Sequence, residues 1–377
     1  MDFVDRTLLL HDESNIQKFK LNLYSDMNAS RVHSWIENVT RRNAEELSLD
    51  LSIPKGDLPL SIPLSLFNCE SLTKLKLTAS PSMCFPKKIF FPKLKSLTLW
   101  SIKFGDGCWN EQPFSNCLVL EELFLYHCTW FGMTQFCIST PALKVLEINN
   151  ELDEEETGLE GCDLKIHAPS LVSLSCRRGC VAKDYELSSF STLDEAVVEF
   201  VFSDHESRRP ENMSQVVSKF IQALSHVRYL SLHVAKDKVL SVANGFVSNP
   251  PTYHNLTALR LRQGATVDTL IFGLLRAAPN LRDLVFVEFD CWSSHDEIEY
   301  DETEDLFRHL QSVRFLESFG KERELRWVKL ILKNAISLQA MTYGFSFFVS
   351  NEKTKESVRS ELPSLPRASA RCVVKFV

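Results

Sequence analysis

Leucines recur along the chain with a fixed local spacing. The segments CESLTKLKL, FPKLKSLTLW, CLVLEELFLYHC and HNLTALRL each place a leucine at a first position and again three and five residues later, as Leu94, Leu97 and Leu99 do. Side chains two residues apart lie on the same face of an extended strand, so the last step predicts a short strand. A pattern that returns in this way predicts an internal repeat.

The same register extends over most of the chain. The repeat units start at Ile16, Ala44, Leu72, Leu94, Leu120, Leu143, Leu171, Leu193, Val227, Leu256, Leu281, Val313 and Leu338. The residue three positions after each start is apolar, and so is the residue five positions after it, except for Ser318 in the Val313 unit. The units that start at Ala44, Leu193 and Val313 follow the pattern least strictly. Starts are separated by 22 to 34 residues, which is typical of leucine-rich repeats with one strand and one return segment each.

Four of the return segments carry apolar residues at helical spacing. They are NASRVHSWIENVTRR, where Ser30 is a candidate cap, NMSQVVSKFIQALS, ATVDTLIFGLLRAA and KERELRWVKLILKNA. The return that contains MCFPKKIFFP lies in a unit of 22 residues and has no room for a helix, so we expect an irregular or 3-10 turn there. The pattern predicts an α/β fold, an irregular leucine-rich-repeat solenoid of about 12–13 units.

The cysteines fit the repeat better than they fit a chemical site. Cys117 lies three residues before a unit start, and Cys128 lies at the turn eight residues after that start, so both are expected to be structural. Cys176 and Cys180 come nearest to a metal-ligand pair, but no CxxC motif and no paired histidine spacing accompany them. We therefore predict no metal site and no cofactor.

Composition and motifs narrow the class of function. The formal net charge is −7, which disfavours nucleic acid as a partner, and no run of about 20 apolar residues predicts a membrane span. The motifs GxSxG, GxxxxGK[ST], HExxH and GxGxxG are absent, so we do not expect an enzyme. Two acidic stretches, 151–163 and 293–305, are expected to be solvated insertions. The expected compartment is the cytoplasm, the nucleus or both.

Both ends of the chain resemble one plant family. The start, FVDRTLLLHDESNIQKFKLNL, is similar to the strand-forming segment that follows the F-box in plant F-box/leucine-rich-repeat proteins. The end resembles their C-terminal FBD region, through Leu325, Val328, Ile331, Leu332, Asn334, Leu338, Met341, Leu365, Pro366, Arg367, Ala368, Ser369 and Cys372. The resemblance implies a repeat array over 1–310 and an FBD-type region over 311–377 that completes the solenoid. We expect Arg367 to hold a turn by bonding nearby carbonyls and ARCVVKFV to form the last strand.

The resemblance also implies a function. Members of this family bring a target protein to a cullin-RING ubiquitin ligase through a Skp-type adaptor, which their F-box binds. No F-box motif precedes Phe3 in this sequence, so an adaptor and a cullin are expected partners only if an F-box lies upstream. The alternative is a stand-alone repeat scaffold or decoy without ligase attachment. The sequence does not identify the target protein.

The outward positions of the strands supply the candidate binding residues. Residues two, four and six positions after a unit start point away from the core, and the strand face is the usual binding surface of a solenoid. The candidates for partner binding are Trp100, Phe124, Tyr126, Arg177, Arg260 and Arg262. Tryptophan, tyrosine and arginine contribute most of the binding energy at protein interfaces. The alternative is that loops cover Trp100 and Phe124, which would then extend the core.

Overall fold

The computed structural model describes most of the chain in two compact units. The described residues are 2–10, 14–23, 28–52, 62–78, 89–104, 111–150, 157–178, 181–188, 190–200, 213–234, 251–262, 268–289 and 305–377. Unit 1 spans Met1–Thr192 and unit 2 spans Leu193–Val377. Residues 83–88 of the MCFPKKIFFP turn, Cys180, and residues 151–156 and 293–304 of the two acidic stretches lie outside the described residues.

Unit 1 is built mainly from parallel strands. Its helices are α1 (Asp2–Leu10) and α2 (Ala29–Arg41), and its strands are β1 (Lys18–Asn22), β2 (Glu46–Asp50), β3 (Lys74–Thr78), β4 (Ser96–Trp100), β5 (Glu122–Tyr126), β6 (Gln135–Ser139), β7 (Val145–Asn149), β8 (Asp163–His167), β9 (Ser173–Arg177) and β10 (Asp184–Leu187). One sheet has the order β1-β2-β3-β4-β5-β7-β9, and a second sheet has the order β10-β8-β6. Neighbouring strands are parallel in both sheets.

Unit 2 alternates strands with longer helices. Its strands are β11 (Glu195–Phe200), β12 (Tyr229–Val234), β13 (Ala258–Arg262), β14 (Asp283–Val287), β15 (Ser312–Ser318), β16 (Ala340–Phe345) and β17 (Val373–Phe376), and its helices are α3 (Met213–Ala223), α4 (Asp268–Ala277), α5 (Glu322–Asn334) and α6 (Glu352–Ser364). Each strand pairs in parallel with the next. The protein is thus a mixed α/β structure with parallel strands, as the repeat predicts.

The strand register agrees with the repeat at twelve of the thirteen predicted starts. Leu75 lies opposite Leu97 and Leu77 lies opposite Leu99, and all four leucines are at most 3% exposed. Burial of such a leucine stabilises the fold by about 1.5–3 kcal/mol. The less strict units are confirmed as well, because Ala44 and Leu193 are buried and the strands that follow them keep the register.

The predicted start at Val313 is wrong by three residues. Val313 lies opposite Leu284, which is three positions after its own start at Leu281. The true start of this unit is therefore Leu310, which is 1% exposed. The misplacement also accounts for Ser318, the exception in the predicted pattern. Phe315, not Ser318, occupies the core position five residues after the start.

The four predicted helices are confirmed as α2, α3, α4 and α5. The cap of α2 is Asn28 rather than Ser30, because the Asn28 side chain accepts hydrogen bonds from the backbone N–H groups of Ser30 and Arg31, at 2.9 and 3.3 Å. An asparagine at this position satisfies N–H groups that have no partner within the first turn. The sequence analysis did not predict α1 or α6.

The start of the chain differs from what the family resemblance implies. The expected strand is the helix α1. Asp5 accepts a hydrogen bond from Trp35 Nε1 at 2.6 Å and forms an ion pair with Arg31. Arg42 donates to the carbonyl of Leu8 at 2.9 Å. These contacts hold α1 against α2, which a strand could not match with the same side chains.

The end of the chain has the predicted turn and strand. Arg367 donates to the carbonyls of Pro363 and Cys372, each at 2.7 Å. Ser369 donates to the carbonyl of Leu338 at 2.6 Å. The strand β17 follows and pairs in parallel with β16. The arginine is therefore occupied in holding the turn.

A residue with left-handed backbone follows several strands at the same repeat position. These residues lie seven positions after a unit start and are Ser101, His127, Arg178, Glu288 and Glu317, with φ between 24° and 57°. The left-handed region costs a non-glycine residue roughly 1–2 kcal/mol. Backbone hydrogen bonds offset this cost, because the N–H of Ser101 donates to Tyr126 and that of Glu288 to Leu316, at 2.9 and 3.0 Å. The chain therefore bends at these strand ends, and the backbone hydrogen bonds hold the bends in place.

Candidate functional site

Three aromatic rings and a histidine lie together at the carboxyl ends of β4 and β5. Trp100 lies opposite Tyr126 in the strand register, and their ring centroids are 4.3 Å apart. The Trp100 ring also contacts His127 at 5.4 Å, and the ring of Phe124 stacks on Tyr126 at 6.3 Å. We call these four residues the aromatic patch. It has the side-chain types that anchor protein interfaces.

The aromatic patch is accessible to a partner. Trp100 is 37% exposed, and Phe124, Tyr126 and His127 are partly exposed. Of the outward residues on these two strands, Ser96 and Thr98 are buried. Among the residues that the structure describes, no loop covers Trp100 as an extension of the core.

Charged groups on β7 and β9 border the aromatic patch. Glu147 lies on β7 and Arg177 ends β9, and the charges of both side chains act on the Tyr126 hydroxyl. Burial raises the pKa of Tyr126 to about 12, and the negative charge of Glu147 adds to this rise. Tyr126 is therefore a neutral donor at physiological pH. A partner would meet apolar rings beside one carboxylate and one guanidinium.

Polar atoms without partners lie at the same strand ends. Within the described part of the chain, His127 Nδ1, Asn149 Oδ1 and Asn150 Nδ2 are buried and have no hydrogen bond. The other polar atom of the Asn150 amide, Oδ1, accepts from the backbone N–H of Cys128 at 2.9 Å. A buried polar atom that lacks a partner costs about 1–3 kcal/mol.

The predicted binding residues fall into two sets. Trp100, Phe124, Tyr126 and Arg177 lie in unit 1 on β4, β5 and β9, and β7 lies between β5 and β9. Arg260 and Arg262 lie on β13 in unit 2. Arg262 pairs with Glu199 at 3.5 Å. The structure therefore places the first four residues on one stretch of the unit 1 sheet and the two arginines on β13 of unit 2.

Sequence reasoning missed His127 of the aromatic patch and Glu147 on the strand β7 beside it. Glu147 occupies the outward position four residues after a unit start, so the repeat register could have identified it. His127 lies seven residues after its start, where an ideal strand gives no direction for the side chain. Its orientation follows from the left-handed backbone, with φ of 52°, and no residue type in the sequence signals that conformation.

The described cysteines are free and buried. They are Cys69, Cys117, Cys128, Cys137, Cys162, Cys176 and Cys372. Burial raises the pKa of the Cys117 and Cys128 thiols to about 12, which keeps both protonated and poor nucleophiles. No group of three histidine, cysteine or carboxylate side chains is placed for a metal ion within the described ranges.

Comparison with known proteins supports the family resemblance. The sequence model of the LRR repeats of FBD-associated F-box protein At5g56370 matches residues 32–190. F-box/LRR-repeat protein At4g14096 of Arabidopsis thaliana is 26% identical, over 100% of this chain and 81% of the relative. F-box/FBD/LRR-repeat protein At1g78750 of the same plant is 24% identical, over 99% of this chain and 81% of the relative.

Other relatives extend well beyond the matched region. F-box/LRR-repeat protein At3g59200 of Arabidopsis thaliana is 30% identical over 76% of this chain, and the match covers 56% of that relative. In two further relatives at 30% identity the chain spans 57% and 59% of their length. Across the residues that the structure describes, no helix has the length and apolar character needed to span a membrane. The chain is a homologue of the plant F-box/FBD/leucine-rich-repeat proteins.

Proposed function

We propose that this chain captures a target protein on its aromatic patch, as the substrate-recognition part of a cullin-RING ubiquitin ligase receptor. The contact between Trp100 and Tyr126 carries the proposal, because two large rings 4.3 Å apart remain accessible at a strand end. Buried aromatic anchors at the centre of an interface commonly contribute about 2 kcal/mol or more each. Arg177 beside the rings offers a charge-assisted contact to the same partner.

We infer that the parallel strands form the rungs of an irregular leucine-rich-repeat solenoid of about 12–13 units. Residues 1–310 would form the array, and 311–377 would be the FBD-type region that completes it. The parallel register within each unit supports this arrangement. So does the match to At1g78750, a relative named for its F-box, FBD and LRR regions.

The relatives' names supply the ligase context of the proposal. An F-box binds a Skp-type adaptor, which in turn joins a cullin, so these partners would follow from an F-box in the same polypeptide. Repeat surfaces bind by contact area and need no catalytic group. We accordingly propose that the protein recruits a target for ubiquitination and has no catalytic role of its own.

Target capture can be tested with the complete 377-residue chain. The double variant Trp100→Ala/Tyr126→Ala should lose a specific partner in affinity capture from plant extract, because the loss of even one such anchor weakens binding by about 30-fold. The matched control is Phe131→Ala, an aromatic residue of unit 1 that is 46% exposed and lies outside the patch. Circular dichroism should show that both variants are folded. An unchanged set of partners for the double variant would contradict the proposal.

Ligase attachment needs a separate experiment. The 5′ end of the native transcript should be sequenced, and the full translated product should be tested for binding to a recombinant Skp-type adaptor. Binding that depends on an upstream F-box supports the receptor role. A native product that captures its target but does not bind the adaptor would instead be a scaffold or decoy.

A further inference from the structure

A row of basic side chains crosses the outward strand face of unit 2. Arg260 lies opposite Val285, which lies opposite Arg314 on the next strand. Arg314 in turn lies opposite Thr342, and Thr342 lies opposite Lys375. Every second strand from β13 to β17 therefore carries a cation at the same position. We call Arg260, Arg314 and Lys375 the basic row.

The spacing of the basic row is regular. Neighbouring strands lie about 4.7–4.9 Å apart, so each cation of the row stands about 9–10 Å from the next one at the backbone. The residues between them, Val285 and Thr342, have shorter side chains without charge. Arg314 and Lys375 are exposed and Arg260 is partly exposed. The row thus presents positive charges that are separated by uncharged residues.

Among the residues that the structure describes, the cations of the basic row lack acidic partners, unlike other arginines of unit 2. Arg228 pairs with Asp194 at 3.0 Å, and Arg262 pairs with Glu199 at 3.5 Å. In the described residues, by contrast, no carboxylate forms an ion pair with any member of the row. The Nε atom of Arg260 is buried and has no hydrogen-bond acceptor there.

Acidic residues flank the row without neutralising it. Asp283 precedes Val285 by two residues on β14. Glu288 directly follows β14, and Glu317 lies within β15. Burial raises the pKa of Glu288, and the negative charge of Glu317 adds to this rise. These carboxylates would repel a continuous polyanion such as a nucleic-acid backbone. A partner that carries single, separated carboxylates could place each of them over one cation of the row.

We propose that the basic row docks an acidic α-helix of a partner protein. Residues seven apart on a helix lie on one face and are about 10.5 Å apart along the axis. This distance matches the two-strand spacing of the cations, so acidic residues at successive heptad positions would each face one member of the row. The proposal goes beyond target capture on the aromatic patch, because it assigns a second surface and the charge of its partner.

The experiment uses a designed peptide and the complete chain. The probe is a fluorescent helical peptide with glutamates seven residues apart, and the control peptide has the same composition with glutamates five residues apart. Fluorescence anisotropy at low salt should show tighter binding of the heptad peptide. Each exposed ion pair contributes up to about 1 kcal/mol, so Arg314→Gln should weaken that binding by about threefold to fivefold. The triple variant Arg260→Gln/Arg314→Gln/Lys375→Gln should weaken binding of the heptad peptide by about tenfold or more, because it removes three such ion pairs.

Matched variants decide the outcome. Arg276→Gln removes an exposed arginine of α4 outside the row and should leave binding unchanged. The Trp100→Ala/Tyr126→Ala variant should also retain peptide binding, which separates failure of this proposal from failure of target capture. Equal binding of the two peptides, or equal effects of Arg314→Gln and Arg276→Gln, would overturn the proposal. Tighter binding of inorganic polyphosphate than of the heptad peptide would also overturn it, in favour of a general polyanion surface.

Discussion

The return segments of the two units stabilise similar strands in different ways. In unit 1 they include a second parallel sheet and a cluster of fully buried rings, Phe104, Phe114, Trp130 and Phe136. Phe104 lies 4.8 Å from Phe136 and stacks on Trp130 at 5.7 Å. These contacts are apolar, and Trp130 Nε1 has no hydrogen-bond partner within the described residues.

In unit 2 the helices α4 and α5 are held by buried polar groups. Asp268 is 1% exposed, forms an ion pair with Arg323 and accepts a hydrogen bond from Trp327 Nε1 at 2.8 Å. Glu324 is fully buried and accepts from the Tyr343 hydroxyl at 2.9 Å. The comparison teaches that the repeat specifies the strand, whereas the return can be stabilised by apolar packing or by a satisfied polar network.

The largest expected effect concerns the ring cluster of unit 1. Phe136→Ala should lower the free energy of unfolding by about 3–5 kcal/mol, because it removes a fully buried ring and leaves a cavity. Chemical denaturation followed by circular dichroism measures the loss, and hydrogen exchange should localise it to unit 1. Phe131→Ala, at a residue that is 46% exposed, should cost far less. Equal losses for the two variants would contradict the importance of the cluster.

The next effect compares the two buried tryptophans directly. Trp327→Phe should lower the free energy of unfolding by about 2–4 kcal/mol, because it removes a hydrogen bond to a buried charge and part of the ring volume. Trp130→Phe removes a donor that has no partner, so its loss should be smaller by about 2 kcal/mol. Denaturation curves of both variants give the difference. Losses of the same size would mean that the polar network of unit 2 does not contribute.

The smallest effect concerns the carboxyl pair at the strand ends of unit 2. Burial and Glu317 raise the pKa of Glu288, so the folded state binds this proton more tightly than the unfolded state does. The favourable contribution is present at low pH and is lost as pH rises from the ordinary glutamate pKa through the raised one. Above that window Glu288→Gln should be more stable than the parent, by about 0.2–1 kcal/mol.

Denaturation at several pH values tests the pair. The advantage of Glu288→Gln should disappear below the ordinary glutamate pKa, where Glu288 is protonated in both states. The control is Glu195→Gln, at an exposed residue of β11 outside the pair, which should show no such dependence. A constant difference between Glu288→Gln and the parent at every pH would contradict the assignment.

The sequence predicted the strands well because leucines at two-residue spacing have one way to face a core. It misplaced one unit because Leu310, Val313 and Leu316 are all apolar and three residues apart, although the polar Ser318 makes the Val313 register the weaker of the two matches. It also missed the second sheet, since QFCIS and DLKIH lie in segments that the main repeat treats as returns. Short strands of this kind take their pairing from tertiary contacts, which a local pattern does not contain.

The candidate site was only partly predictable for a similar reason. Trp100 and Tyr126 follow from strand alternation, which fixes the face of each side chain. His127 depends on a backbone conformation that histidine does not favour, and its place beside Trp100 follows from the bend. Arg314 was assigned to the wrong register with its unit, so its alignment with Arg260 was not visible from the sequence.

The left-handed bends give a protein engineer five adjustable positions, each at the end of a different strand. Ser101, His127, Arg178, Glu288 and Glu317 occupy the same place in their repeats and lie outside the leucine positions that form the core. Glycine or asparagine at such a position would relieve backbone strain. A library that varies these five positions together could therefore select new binding specificities while every core leucine stays unchanged.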